Sequence, residues 1–124
     1  MNHSPGFLKL AEEARARIKE ISPTEARERL ARNPKAILLD VREDHEWAAG
    51  HARDAIHLGR GILERDLEGR FPDHNTELIL YCGGGFRSAL SAEAAQRMGY
   101  ANVFSLAGGY KALIKEGWTV EGLA

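Results

Sequence analysis

The sequence contains a single cysteine, Cys82, among its 124 residues. One cysteine cannot form a disulfide within the chain, which excludes a disulfide-stabilised scaffold and leaves the thiol available for chemistry. A free thiol is typical of a reducing compartment, so we expect the protein to be cytoplasmic. The count also excludes an internal disulfide relay, because no second thiol of this chain could discharge a group carried by Cys82.

The sequence also lacks a charge excess and long apolar runs. Its 17 Lys and Arg residues nearly balance its 18 Asp and Glu residues, and a net charge of −1 offers no electrostatic footprint for nucleic acid. No apolar stretch approaches the roughly 20 residues that span a bilayer. Residues 1–20 lack the continuous apolar segment of a secretory signal. We therefore expect neither nucleic acid nor a membrane among the partners.

Metal sites have little support. The five histidines show no spacing with Cys82 or with a carboxylate cluster that is typical of a metal site, and His51, after Gly50, is better interpreted as a hydrogen-bonded turn residue. We predict no metal and no separate cofactor.

Short apolar runs alternate with helical patterns along the chain. Runs bounded by turn residues predict buried strands at 36–41, 55–58, 77–82 and 103–106, with Ile21 in an additional edge strand. Amphipathic or glycine-terminated segments predict helices at 7–19, 23–33, 43–49, 62–70, 87–98 and 110–116. This alternation predicts a single α/β domain with right-handed crossovers. We expect residues 1–19 to form a helical extension that caps a domain at 20–124.

The segment "YCGGGFRSAL", residues 81–90, places Cys82 where a buried strand passes into a helix. In α/β sheets, ligands bind beyond the carboxyl ends of the strands. Three glycines allow the backbone N–H groups to turn inward, and the helix N-terminus adds partial positive charge. Both features, together with Arg87, favour the thiolate, which is the nucleophilic form of cysteine. The sequence therefore predicts an anion cradle around a reactive thiol.

The chain resembles the rhodanese family of sulfurtransferases over residues 20–120. The pieces that carry the resemblance occur in the family's order: "LLDVRE" at 38–43, "EWAAGH" at 46–51, "AIHL" at 55–58, "LYCGGGFRS" at 80–88, "GYANVFSLAGGYKAL" at 99–113 and "GW" at 117–118. The segment "HARDA" at 51–55 departs from the His-Ile-Pro-Gly-Ala turn that is common in the family. The resemblance implies a five-stranded parallel sheet with helices on both faces.

The resemblance also implies a reaction. Cys82 would take a sulfane sulfur from a donor such as thiosulfate, carry it as a persulfide and pass it to a thiol, cyanide or a sulfur-relay protein. We expect the protein to act as a monomer. The predicted nucleophile is Cys82, and the loop that would bind substrate and persulfide is Gly83, Gly84, Gly85, Phe86, Arg87 and Ser88.

Two other functions stay open. The predicted architecture also resembles that of Cdc25-type phosphatases and related arsenate reductases. Those enzymes have five residues between the Cys and the Arg of the loop, whereas this chain has four residues between Cys82 and Arg87. A shorter loop has less room for a tetrahedral oxyanion, and this favours sulfur transfer. A non-catalytic rhodanese-like adaptor is the third interpretation, although such domains are expected to lose the cysteine.

Several neighbouring residues have two interpretations. Arg87 either attracts an anionic donor or forms an ion pair with Asp40 or Glu46, and Ser88 either begins a helix or donates to the loop anion. Asp40 and Arg42 are expected to support the site as a buried ion pair rather than to act as an acid–base pair. Gly108 and Gly109 either permit close approach to the Cys82 loop or form a plain turn.

Overall fold

A computed structural model describes residues 3–122, and its centre is a parallel sheet. The sheet has five strands in the order β1-β6-β5-β2-β4, and every neighbouring pair is parallel. This confirms the α/β architecture with a five-stranded parallel sheet. The strands are β1 (Lys19–Ile21), β2 (Ile37–Asp40), β4 (Ile56–His57), β5 (Leu78–Tyr81) and β6 (Val103–Leu106).

Six helices lie before or between the strands in the part of the chain that the structure describes. They are α1 (Pro5–Arg15), α2 (Pro23–Arg32), α3 (Asp44–Ala49), α4 (Arg60–Arg70), α5 (Phe86–Arg97) and α6 (Gly109–Lys115). The start of α2 follows its predicted cap, since Ser22 Oγ accepts a hydrogen bond from Glu25 N at 3.1 Å. The first helix ends at Arg15 rather than at residue 19, because Lys19 pairs with Phe104 in the sheet.

Two hydrophobic clusters cover the two faces of the sheet, as the alternation of side chains along a strand requires. Leu39, Leu80 and Cys82 point to the face covered by α4 and α5. Ile79 and Tyr81 point to the opposite face, which is covered by α2 and α6. Every residue of β5 and β6 is buried, as expected of central parallel strands.

Helix α1 packs on α5 rather than directly on the sheet. Its Ala11 and Ala14 have no exposed surface, and small side chains at such a contact allow two helices to approach closely. The helix thus caps the domain in this chain. The division of the chain into a helical extension at 1–19 and a domain at 20–124 stays a prediction.

A second, two-stranded sheet was not predicted. In it β3 (His51–Ala52) pairs antiparallel with β7 (Val120–Glu121). His51 thus lies in a short strand, and its Nδ1 is 2.9 Å from the carbonyl oxygen of Trp47. Within residues 3–122, no helix combines the length and apolar character needed to cross a membrane.

Candidate active site

The loop that follows β5 wraps around the sulfur of Cys82. Gly85 adopts φ of 98°, a left-handed conformation that glycine tolerates, and α5 begins at the next residue. This turn aims two backbone N–H groups at the thiol: Gly85 N donates to Cys82 Sγ at 3.1 Å, and Ser88 N donates at 3.3 Å. Cys82 itself is 1% exposed. The sulfur is therefore held in a dry pocket of backbone donors at a helix N-terminus.

Two buried serines extend this network beneath the thiol. Ser88 Oγ lies 3.5 Å from Cys82 Sγ, which can donate to it, and 2.8 Å from Ser105 Oγ. Both serines have no exposed surface. Ser88 thus occupies the first turn of α5 and contacts the sulfur as well, so its two predicted interpretations are compatible. Ser105 was not predicted, although a serine in the apolar run "VFSL" was a visible signal.

The segment from β6 into α6 contacts the Cys82 loop through backbone hydrogen bonds. Tyr110 N donates to the Cys82 carbonyl at 2.7 Å, and Lys111 N donates to the Gly83 carbonyl at 3.2 Å. Gly109 has φ of 57°, and a Cβ built there would overlap the Cys82 carbonyl and approach Gly83 C at 2.8 Å. Of the two predicted alternatives for this glycine pair, the structure therefore has the close approach.

Arg87 extends from the loop to α3 and forms an ion pair there. Its Nη1 and Nη2 donate to Glu46 Oε1 and Oε2 at 2.6 and 3.0 Å, a bidentate arrangement. This hydrogen bonding lowers the pKa of Glu46 to about 2. Nη2 would lie 3.1 Å from a Cβ at Gly83, so the guanidinium lies close over the loop. Glu46, not Asp40, is the partner of Arg87.

Asp40 and Arg42 form a second ion pair at the carboxyl end of β2. Arg42 Nη2 donates to Asp40 Oδ2 at 2.8 Å and to the Gly50 carbonyl at 2.6 Å. The guanidinium carbon lies 4.2 Å from the centroid of the Tyr110 ring. Asp40 has no exposed surface and Arg42 is 5% exposed, so the ion pair lies in the interior. This is the arrangement expected of a structural pair, and its contribution to activity stays a prediction.

Aromatic side chains from α1 and from His3, which precedes that helix, lie against the loop. The ring centroids of His3 and Phe7 are 4.8 and 6.1 Å from that of Phe86. The guanidinium carbon of Arg15, at the other end of α1, lies 5.1 Å from the same centroid. Phe86 is thus half-buried under the N-terminal helix, which forms part of the mouth of the site.

Of the predicted loop residues, Gly85 and Ser88 contact the sulfur of Cys82, and Arg87 pairs with Glu46 instead. Asp40 and Arg42 form their ion pair at the carboxyl end of β2. Two backbone N–H donors directed at one buried sulfur form an arrangement that can hold a negatively charged sulfur group. Within residues 3–122, no cluster of three or more His, Cys, Asp or Glu side chains could hold a metal ion.

Comparisons with known proteins agree with this geometry. Residues 22–116 match the rhodanese-like domain family. The chain is 35% identical over 104 residues to the thiosulfate sulfurtransferase GlpE of Actinobacillus pleuropneumoniae, a match that covers 84% of this chain and 89% of that protein. It is also 31% identical over 102 residues to the tRNA uridine(34) hydroxylase of Chlamydia trachomatis, covering 73% of this chain but only 29% of that longer protein.

A solved structure extends the comparison to nearly the whole chain. It belongs to a protein of unknown function from Rhodopseudomonas palustris that is described as a possible tyrosine phosphatase. The TM-score is 0.82 at 26% identity, with 98% of each chain covered. Proteins similar to this chain thus carry different functional descriptions. The sequence match over most of its length, the parallel sheet and the cysteine loop together place this chain in the rhodanese-like domain family.

Proposed function

We propose that this protein is a sulfurtransferase that moves a sulfane sulfur from a donor such as thiosulfate to a thiol or cyanide acceptor through a persulfide on Cys82. The observation that carries the proposal is the convergence of Gly85 N and Ser88 N on Cys82 Sγ. The similarity to a thiosulfate sulfurtransferase across most of both chains supports it.

The reaction is a double displacement. The Cys82 thiolate attacks the outer sulfur of thiosulfate, the S–S bond of the donor breaks, and sulfite leaves with the bonding electrons. An acceptor nucleophile then attacks the outer sulfur of the enzyme persulfide and releases the Cys82 thiolate. The N–H groups of the loop stabilise negative charge in both the thiolate and the persulfide without having to reorganise.

The acceptor comes from outside the chain. Cys82 is the only cysteine of the sequence, so a low-molecular-weight thiol, cyanide or a sulfur-relay protein has to remove the sulfur. We place this exchange in the cytoplasm, where an unpaired thiol stays reduced. We propose that a monomer suffices for it, because the hydrogen bonds to Cys82 Sγ and to the loop carbonyls come from residues of the same chain.

A phosphatase is the second candidate, because one structural relative is described as a possible tyrosine phosphatase. Two features argue against it. Arg87, the residue that would hold phosphate oxygens, is in a bidentate pair with Glu46. Asp40, the candidate acid for such a reaction, is fully buried and paired with Arg42. Together with the loop of four residues between Cys82 and Arg87, these features favour sulfur transfer.

The test exposes the purified protein to thiosulfate and, separately, to an aryl phosphate. We expect release of sulfite and a mass gain of one sulfur atom that Cys82→Ser abolishes. Phosphate release that depends on Cys82 would instead support the phosphatase. A protein that gains no sulfur and releases neither product would overturn the enzymatic proposal and support a non-catalytic adaptor.

A further inference from the structure

A pocket of about 600 Å³ opens beside the Cys82 loop, between the start of α1 and the helices α3, α4 and α5. This volume is within the range of pockets that hold small organic ligands, and it is much more than a thiosulfate ion needs. The lining residues that matter here are His3, Phe7, Glu43, Glu46, Arg60 and Arg87.

The arginines and glutamates of this pocket balance one another. Arg60 and Arg87 oppose Glu43 and Glu46, so these four side chains carry no net charge. Arg87 directs both terminal nitrogens to the carboxylate of Glu46. The same carboxylate also accepts a hydrogen bond from Glu43 N at 3.0 Å, which fixes it at the first turn of α3. The pair is therefore held by two helices that are distant in sequence.

This arrangement disfavours a small dianion. Thiosulfate has two negative charges and has to approach a sulfur that reacts as an anion, so its binding depends on cationic donors nearby. Arg87 Nη2 would lie 3.1 Å from a Cβ at Gly83, and Glu46 accepts a hydrogen bond from each terminal nitrogen of Arg87 while its own charge repels a second anion. An amino-acid persulfide carries one ammonium and one carboxylate, which match the mixed charges of the pocket.

We propose that Glu46 is a specificity-determining residue that holds Arg87 in an ion pair and thereby makes the pocket select a zwitterionic amino-acid persulfide over thiosulfate as sulfur donor. The proposal rests on the sulfurtransferase function proposed above and specifies its substrate class. Glu46 acts through Arg87 and is a positioning residue, since it does not contact Cys82.

The sulfur-loading step balances with this donor. The Cys82 thiolate attacks the outer sulfur of the persulfide R–S–SH, and the S–S bond of the donor breaks. The donor leaves as the thiolate R–S⁻ with the bonding electrons. Cys82 becomes Cys–S–SH and keeps the proton of the transferred sulfur. No oxidant or reductant is needed.

The test compares two donors with the full-length protein and with Glu46→Gln. The probes are thiosulfate and cysteine persulfide, and the quantity measured is the second-order rate constant for sulfur loading of Cys82, followed by intact mass. Glutamine still accepts the hydrogen bond from Glu43 N, so α3 keeps its cap. We expect Glu46→Gln to raise the constant for thiosulfate about tenfold and to lower that for cysteine persulfide, because the pocket loses one of the carboxylates that match the ammonium group of this donor.

Two further variants identify the cause. Glu93→Gln breaks a comparable Glu–Arg pair outside the pocket, with Arg17, and is expected to leave both constants unchanged. The double variant Glu46→Gln/Arg87→Gln is expected to lose the gain with thiosulfate, because the gain requires a released arginine.

The outcomes separate the two proposals. If wild-type Cys82 loads sulfur but Glu46→Gln leaves the thiosulfate constant unchanged or lower, or raises both constants equally, the role of Glu46 is wrong and the proposed function stands. If wild-type Cys82 takes sulfur from neither donor, both proposals fail.

Discussion

Two arginine–carboxylate pairs lie beside the same loop, and they differ in how far water reaches them. The side chains of Asp40 and Arg42 are 0% and 5% exposed, and Arg42 has further partners in the Gly50 carbonyl and the Tyr110 ring. The side chains of Glu46 and Arg87 are 26% and 29% exposed and line a pocket. A buried charge without its partner is costly, whereas a half-exposed one can be solvated. The first pair is therefore suited to holding the sheet edge and the second to responding to a ligand.

The largest expected effect comes from breaking the buried pair. Asp40→Asn keeps the shape of the side chain but leaves the Arg42 guanidinium without its counter-charge in the interior, so we expect the free energy of unfolding to fall by about 3–5 kcal/mol. Urea denaturation measures this change. Asp66→Asn is the matched control, because Asp66 pairs with Arg65 at the surface, and its loss is expected to lower the free energy of unfolding much less than Asp40→Asn does. Equal losses in the two variants would remove the distinction between buried and exposed pairs.

Acid is expected to break the half-exposed pair. The pKa of Glu46 is about 2 in the folded protein against an ordinary value of 4.5, so its stabilisation is complete above about pH 4.5 and is lost as the pH falls toward 2. Wild type is expected to exceed Glu46→Gln by about 2 kcal/mol in the free energy of unfolding at neutral pH.

The difference in unfolding free energy between wild type and Glu46→Gln should decline toward zero as the pH approaches about 2, the pKa of Glu46 in the folded protein. Denaturation at a series of pH values measures this decline. The wild type alone also loses stability in acid as other carboxylates protonate, so only the difference between the two proteins reports on Glu46. A difference that stays constant over this range would show that the ion pair is not its source.

Salt is expected to produce the smallest effect and to sharpen the contrast. Raising sodium chloride from about 0.05 M to about 0.5 M should reduce the difference in unfolding free energy between wild type and Glu46→Gln by about 0.5 kcal/mol, because mobile ions reach a half-exposed pair. The difference between wild type and Asp40→Asn should change less. If the two differences were equally sensitive to salt, solvent access would not be what separates the pairs.

The sequence predicted the features that depend on local pattern. All five strands of the main sheet coincide with short apolar runs or, for β1, with Ile21. The loop was predicted because its glycines directly follow Cys82. These signals are local, since burial on both faces makes a strand continuously apolar and a positive φ favours glycine.

Features that depend on distant pairing were missed or left open. Helix α1 ends at Arg15 because the segment that follows it forms β1 and pairs with β6, whose residues come more than 80 positions later in the chain. The pairing of β3 with β7 joins two-residue segments that have no periodicity of their own. The choice between Asp40 and Glu46 as partner of Arg87 depended on how α3 and α5 approach each other, which the sequence pattern does not give.

The contact behind the thiol loop links the site to the order in which the chain is made. The Cys82 and Gly83 carbonyls receive their hydrogen bonds from Tyr110 N and Lys111 N, which lie more than 25 residues further along the chain. During synthesis from the N-terminus, the loop is therefore made before the segment that fastens it. Cys82 therefore leaves the ribosome before the residues that complete the hydrogen bonding of its loop, and the loop obtains these bonds only when α6 docks.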